Sequence, residues 1–225
     1  MRRSLLAAGP ALWGAWTLGA QLAALGSGRR GRGGERVVAL TFDDGPDPAH
    51  TPAILDLLEA ADVRASFFLI GRRARAWPDV ARRIAAAGHD VGNHSWSHRS
   101  LWLSGPRATR EEIEQGHAAV AEAAGQAPRF FRPPWGLANL AMFPVLARLG
   151  TPLVLWTAQP EGLRAVAPDR QLARALGRAR PGAIYDLHDA DGVAGAGARL
   201  AAYLPRLIEG LRAAGYALVP LSRLV

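Results

Sequence analysis

From Val37 onward the chain alternates short apolar runs with stretches of helical periodicity, and this alternation limits its possible folds more than any other feature. Strands are expected at Val37–Thr41, Ala65–Ile70, His89–Gly92, Arg129–Phe131, Pro152–Trp156, Ala183–His188 and Ala217–Val219. Helices are expected between them at Thr51–Ala61, Asp79–Ala87, Thr109–Ala124, Ala138–Leu149, Pro168–Arg178 and Ala198–Ala214. The apolar spacing at Ile54, Leu55, Leu57 and Leu58 is helical, and Gly88 follows a helix as a stop. Strands separated by helices form parallel sheets. A distorted or incomplete (β/α) barrel of about seven parallel strands is the first expectation, and an open doubly wound sheet the second. In both, ligands collect at the C-terminal ends of the strands.

The 225 residues suit one large domain. The chain has no cysteine, which excludes disulfides and thiolate-ligated zinc, so a metal here must use His and carboxylate ligands. The net charge of +8 comes entirely from arginine, since there is no lysine. Such a surface suits anionic envelope polymers or lipid headgroups. No recognition helix or aromatic-basic motif accompanies it, so nucleic acid is not expected as a partner.

The first 26 residues differ from the rest. Arg2-Arg3 precede an uncharged run from Ser4 to Gly26, in which Pro10, Gln21 and several glycines interrupt the apolar residues. At about 1.5 Å per residue this run could span a hydrocarbon core as an uncleaved anchor. The small residues Ala24 and Gly26 also fit a signal-peptide cleavage site. The run is longer than an ordinary signal core, which favours the anchor, and a buried helix of a soluble fold is less expected because no polar face is present. Residues 27–36 read as a basic, Gly-rich linker, and residues 37–225 as one folded domain. The expected location is extracytoplasmic, either membrane-anchored or secreted.

Four segments at expected strand ends carry chemistry. In TFDDGP, Asp43 and Asp44 follow a strand and precede a Gly-Pro turn. Neighbouring strand residues face opposite ways, so two adjacent acids can serve one site in two roles only where the strand gives way to a turn. In NHSWSH, His94 and His98 are four apart, a spacing at which two imidazoles can share a metal ion. Two His and one carboxylate leave coordination positions for water. In RPPWG, two prolines stiffen a loop that carries Arg132, able to hold a carboxylate, and Trp135, a flat face for a sugar ring. In AIYDLHD, His188 ends a strand and remains as the candidate general acid. Asp189 reads as a local hydrogen-bonding residue, His89 as structural, and His50 and His117 as surface or helix-face residues.

TFDDGP, DVRASFFLIG, AAAGHDVGNHSWSH, FRPPWG and LHD, in this order and spacing, resemble the polysaccharide deacetylase (NodB-homology) family, the fourth family of carbohydrate esterases. The resemblance runs from about Arg36 to Val219. It implies a metal-dependent hydrolase that removes N-acetyl groups from N-acetylglucosamine-containing glycans: peptidoglycan, chitooligosaccharide or exopolysaccharide. By the same resemblance Asp44, His94 and His98 would hold one divalent metal ion, zinc first. Asp43 would be the base, oriented by Arg132, and His188 the acid. Pro133 and Trp135 would meet the substrate, with a backbone N–H near Trp135 facing the oxyanion. Two other functions stay open: a deacylase or deformylase of a lipid-linked sugar, and an inactive glycan-binding protein.

The sequence departs from the family pattern in two places. After Trp156 the chain reads Thr157-Ala158-Gln159-Pro160-Glu161-Gly162-Leu163, without the acids and Trp at their usual positions. Asp186 stands where a leucine is usual, two residues before His188. Residues two apart on a strand share a face, so Asp186 is expected either to replace the missing carboxylate partner of His188 or to reshape the acetyl pocket that a leucine usually lines.

Overall fold

The computed structural model describes residues 15–27, 35–161, 166–190 and 194–225. Of the seven expected strands, six form among these: β1 Val37–Asp43, β2 Ser66–Leu69, β3 Asp90–Asn93, β4 Phe130–Phe131, β5 Ala183–His188 and β6 Ala217–Leu218. All pair in parallel, in the order β4-β3-β2-β1-β5. One edge of β1 is taken by β5 from Val38 to Asp43, so β6 and β2 share the other edge.

The expected strand at Pro152–Trp156 is not formed. The segment makes one bridge to β4, Phe131 to Leu153, and Ala158 makes one to β5 at Tyr185. Pro152 has no N–H to give a ladder, although its carbonyl accepts from Phe131 N–H. These two bridges link the outer strands β4 and β5, so the curled sheet is an incomplete barrel. The strand β1 runs two residues further than expected, through Phe42 and Asp43.

Eight α-helices are described: α1 Ala20–Ser27, α2 Thr51–Ala60, α3 Gly71–Ala76, α4 Pro78–Ala86, α5 Pro106–Ala124, α6 Met142–Leu149, α7 Pro168–Leu176 and α8 Ala196–Ala213. The period-two alternation of the strands divides the core. Val38, Leu40 and Phe42 of β1, with Tyr185 and Leu187 of β5, pack outward in the cluster that the helices cover. Ala39, Phe68, Ile184 and Val154 belong to a separate cluster on the inner side. Thr41 and Asp43 therefore share the inner side with Ala39. Both faces of β1 are buried, as parallel sheets require.

The N-terminal segment is also packed. A π-turn at Ala15–Gly19 leads into α1, and the side chains of Ala20 and Ala24 are fully buried with Phe131, Ala138 and Met142. Leu18 and Leu22 on the same segment are 62% and 70% exposed. Among the described residues no helix is long and apolar enough to cross a membrane. The expected basic start at Arg2-Arg3 and most of the linker lie outside the described residues, as does Leu163.

Helix α5 supports the loop after β3 through backbone contacts. Asn93 donates to Ile113 O (3.0 Å) and Trp96 N–H to Glu112 O (2.9 Å). Ser97 donates twice to the Glu112 carboxylate, from its N–H and its hydroxyl. Gly116 sits where a Cβ would come within 2.6 Å of both Ser95 C and Asn93 Oδ1. Alanine at an ordinary helix interior would stabilise by roughly 1 kcal/mol over glycine. Here overpacking dominates, and Gly116→Ala should destabilise by about 1–3 kcal/mol in urea unfolding.

Candidate active site

The inner side of the sheet ends in a cluster of ionisable groups. Asp43 is the last residue of β1 and pairs in register with His188, the last residue of β5. One residue later Asp44 has left the strand, with φ of 75°. The two neighbouring carboxyls consequently project from different backbone geometries, one extended and one left-handed. His94 follows the last residue of β3, and His98 closes the loop with φ of 62°. The Ser95 hydroxyl accepts from His98 N–H (3.1 Å) and holds that turn.

Asp44, His94 and His98 converge. Their ligand atoms all lie within 4.8 Å of one another. Asp44 Oδ1 is 3.0 Å from His98 Nε2 and 3.6 Å from His94 Nε2. The same oxygen is buried without a satisfied hydrogen bond. His94 Nδ1 lies 2.7 Å from the carbonyl of Arg132. A carbonyl only accepts, so Nδ1 carries the proton and the Nε2 lone pair faces Asp44. Two imidazole nitrogens and an orphaned carboxylate oxygen, aimed at one point, fit a divalent metal ion. Burial works to raise the Asp44 carboxyl, but the His98 imidazole beside it, with His94 and His188, holds it well below the usual range. Burial, joined by the field of His98, keeps the His94 imidazole low and thus neutral, the form that ligates a metal.

Arg132 is fully buried and organises the acid next to this triangle. Its Nη1 donates to Asp43 Oδ1 and to Thr41 Oγ1, both at 2.7 Å. Its Nε and Nη2 donate to the carbonyls of Val154 and Leu155. The guanidinium lies 4.1 Å over the Phe68 ring. With Oδ1 held by Arg132, the other oxygen of Asp43 is 3.7 Å from His94 Nε2, toward the metal-ligand triangle.

The hydrogen-bonded partner of His188 is Glu161, at 2.7 Å from Nδ1, and not Asp186. Asp186 sits one layer deeper on the same face of β5, fully buried, with Oδ1 3.6 Å from Arg132 Nη1. Burial, then the charge of Asp43, push its carboxyl up to about 8. Asp186 is thus harder to ionise than an ordinary aspartate, although the nearby Arg132 and His188 pull the other way. Burial alone would lower His188, but Asp186 and the hydrogen-bonded Glu161 raise the imidazole well above its ordinary value. Tyr203 also reaches Glu161, its hydroxyl donating to Oε1 at 3.4 Å.

The remaining candidates line the rim. Pro133 is buried, and Trp135 is 57% exposed with φ of 63°. Its ring centroid is 5.5 Å from that of His98. Asp189 is not local in its bonding: it accepts from the Thr51 hydroxyl at the start of α2 and lies under Gly45. His89 is structural, its Nδ1 accepting from Ala65 N–H. Two contributors escaped the sequence reading. Thr41 precedes Asp43 by two on β1 and so shares its face, a signal that was present. Glu161 was visible only as the one acid between Trp156 and Leu163.

Known proteins resemble this chain in sequence and in fold. The polysaccharide deacetylase family model matches residues 30–154. A chitooligosaccharide deacetylase from Bradyrhizobium sp. is 38% identical over 157 residues, covering 69% of this chain and 72% of the relative. The crystal structure of a peptidoglycan N-acetylglucosamine deacetylase in complex with 4-naphthalen-1-yl-N-oxidanyl-benzamide superposes with a TM-score of 0.82 at 32% identity, over 90% of this chain and 95% of that one. A carbohydrate esterase family four pseudoenzyme from Bacillus anthracis superposes with a TM-score of 0.80 at 26% identity, over 87% of this chain and 67% of that one.

The contact between Glu161 and His188 has a measurable signature. Glu161→Gln should lower the His188 imidazole pKa, read by NMR titration of the ring. The raised folded value gives a stabilisation that is full below the unfolded value of about 6.5 and is lost as pH rises through the folded value. The variant should therefore be less stable than the parent on the acid side of that window and converge with it on the alkaline side.

Proposed function

Since the chain belongs to the polysaccharide deacetylase family of carbohydrate N-deacetylases, we propose that it hydrolyses N-acetyl groups from N-acetylglucosamine units of an envelope glycan. The observation that carries this reading is the metal-ligand triangle Asp44, His94 and His98, flanked by an acid fixed to Arg132 and an imidazole fixed to Glu161. Chitooligosaccharide and peptidoglycan are the first substrates to offer, because relatives named for each are similar to this chain.

Asp44, His94 and His98 hold the metal ion in this proposal, zinc being the first candidate for a two-imidazole, one-carboxylate set. When bound, the ion supplies Lewis acidity toward the acetamide carbonyl and toward water. Asp43 is the general base: Arg132 fixes one of its oxygens, and the other takes the proton of the attacking water. His188 is the acid. Its raised affinity for a proton keeps the imidazole charged near neutrality, ready to protonate the amide nitrogen as the C–N bond breaks. Acetate and a free amine leave. Trp135, at the rim beside His98, offers an apolar face to a sugar ring. Possession of both a base and an oriented acid supports turnover over a binding-only role.

On the same reading the catalytic domain is residues 37–225, preceded by the linker 27–36, and it works outside the cytoplasm. The net charge of +8, which suits anionic envelope polymers, supports that location.

The test is acetate release from chitooligosaccharides and peptidoglycan fragments by the full chain, with Zn²⁺ or after EDTA. Release should require the metal and fall by about 10²–10⁴-fold in Asp43→Asn. His98→Ala should weaken Zn²⁺ binding by more than about tenfold in equilibrium dialysis. Release that survives both EDTA and Asp43→Asn would overturn the mechanism.

A further inference from the structure

The loop that carries Trp135 lacks most of the means to hold itself. Pro133 and Pro134 have no N–H. Trp135 and Gly136 are two consecutive left-handed residues, with φ of 63° and 66°. A bulky side chain in that region stays there only when its surroundings impose it. Within the loop, Gly136 N–H bonds to Pro133 O at 2.9 Å, and Leu137 N–H to Pro134 O at 3.3 Å. Trp156 packs on Gly136 from one side, where a Cβ would come within 2.6 Å of its ring.

The other support comes from more than a hundred residues away. Gln21 on α1 donates from Nε2 to Gly136 O at 2.9 Å, and its Oε1 accepts from Ala138 N–H, also at 2.9 Å. A backbone carbonyl only accepts and a backbone N–H only donates, so the orientation of the amide is fixed. A glutamine amide presents one donor and one acceptor side by side, as a neighbouring strand would. Ala20 and Ala24, both fully buried, seat the helix, and Leu140 N–H bonds to Trp16 O at 3.1 Å. Gln21, a polar interruption of the apolar N-terminal run, thus reaches the rim of the site.

We infer that Gln21 is a positioning residue for Trp135, and that the segment from Trp16 to Ala24 stays with the catalytic domain as a brace for its glycan-facing loop. Cleavage after Gly26 would remove that brace. The docked residues cannot at the same time lie inside a bilayer. The glycan part of this inference rests on the function proposed above; the bracing part does not.

Two measurements on the full chain separate these parts. In amide hydrogen exchange, Gln21→Ala should speed exchange at Ala138 on the order of tenfold or more, with Val154, bonded to Phe131 O, unchanged as a fold control. In kinetics with a chitooligosaccharide, Gln21→Ala should raise KM about three- to tenfold, with kcat within about twofold. The same change should have no further effect in a Trp135→Ala background, because the two residues act as one unit. Unchanged exchange at Ala138 would overturn the brace. An equal KM effect with and without Trp135 would overturn the positioning role. Absence of turnover on any glycan, with the exchange effect intact, would leave the brace standing and count against the proposed function instead.

Discussion

A guanidinium with no access to water must find all its compensation inside the protein, and the site is arranged around that demand. A buried cation costs several kcal/mol unless paired and hydrogen-bonded, and removing one partner of such a pair typically costs about 3–5 kcal/mol. Arg132 meets the demand with Asp43, Thr41, two carbonyls of the 152–156 segment and the face of Phe68. These partners come from three parts of the curled sheet, so the side chain fastens β1 and β2 to the segment that bridges β4 toward β5. Its own backbone takes part as well. Arg132 N–H bonds to Asn93 O, and its carbonyl fixes the tautomer of His94. One residue therefore holds the Asp43 carboxyl and fixes which nitrogen of the His94 imidazole carries its proton.

The alternation of the parallel strands decides which residues can join this arrangement. Thr41 and Asp43 on β1, Ser66 and Phe68 on β2, and Asp186 and His188 on β5 all face inward, one residue in two. The register then sets depth. Thr41 pairs with Asp186 below, and Asp43 with His188 above, so a structural layer lies under a reactive one. The lower layer holds Asp186, whose carboxyl burial pushes up, and the upper layer holds Asp43, bonded to Arg132. Helix α5 then sets the height of the histidine loop through backbone contacts that only a glycine at 116 permits.

Much of this was legible in the sequence. The strand and helix alternation, the curled sheet and the grouping of motifs at strand ends follow from periodicity and turn residues, which are local properties. What escaped depends on distant partners. Pro152–Trp156 has the apolar content of a strand, but its pairing is limited to isolated bridges, and no local signal reports the shape of a gap between two outer strands. Glu161 reaches His188 because its loop bonds to β5 through Ala158, so sequence spacing from a family pattern misplaced the carboxylate. Asp186 looked like its replacement because it shares a face with His188, yet shared face does not fix depth. The segment before Ser27 is apolar enough for a bilayer or for a protein surface, and composition cannot choose between two apolar environments. Gln21 was visible as an interruption, and only its target made it meaningful.

The step from Asp43 to Asp44 has an implication for transplanting this chemistry. The two carboxyls differ in orientation because the chain changes from extended to left-handed between them. An Asp-Asp pair grafted into the middle of a strand would send its side chains to opposite faces and serve two unrelated environments. The portable unit is therefore a strand terminus with its backbone reversal included. Any scaffold that receives it must offer an inward-facing end position followed at once by room for a left-handed residue.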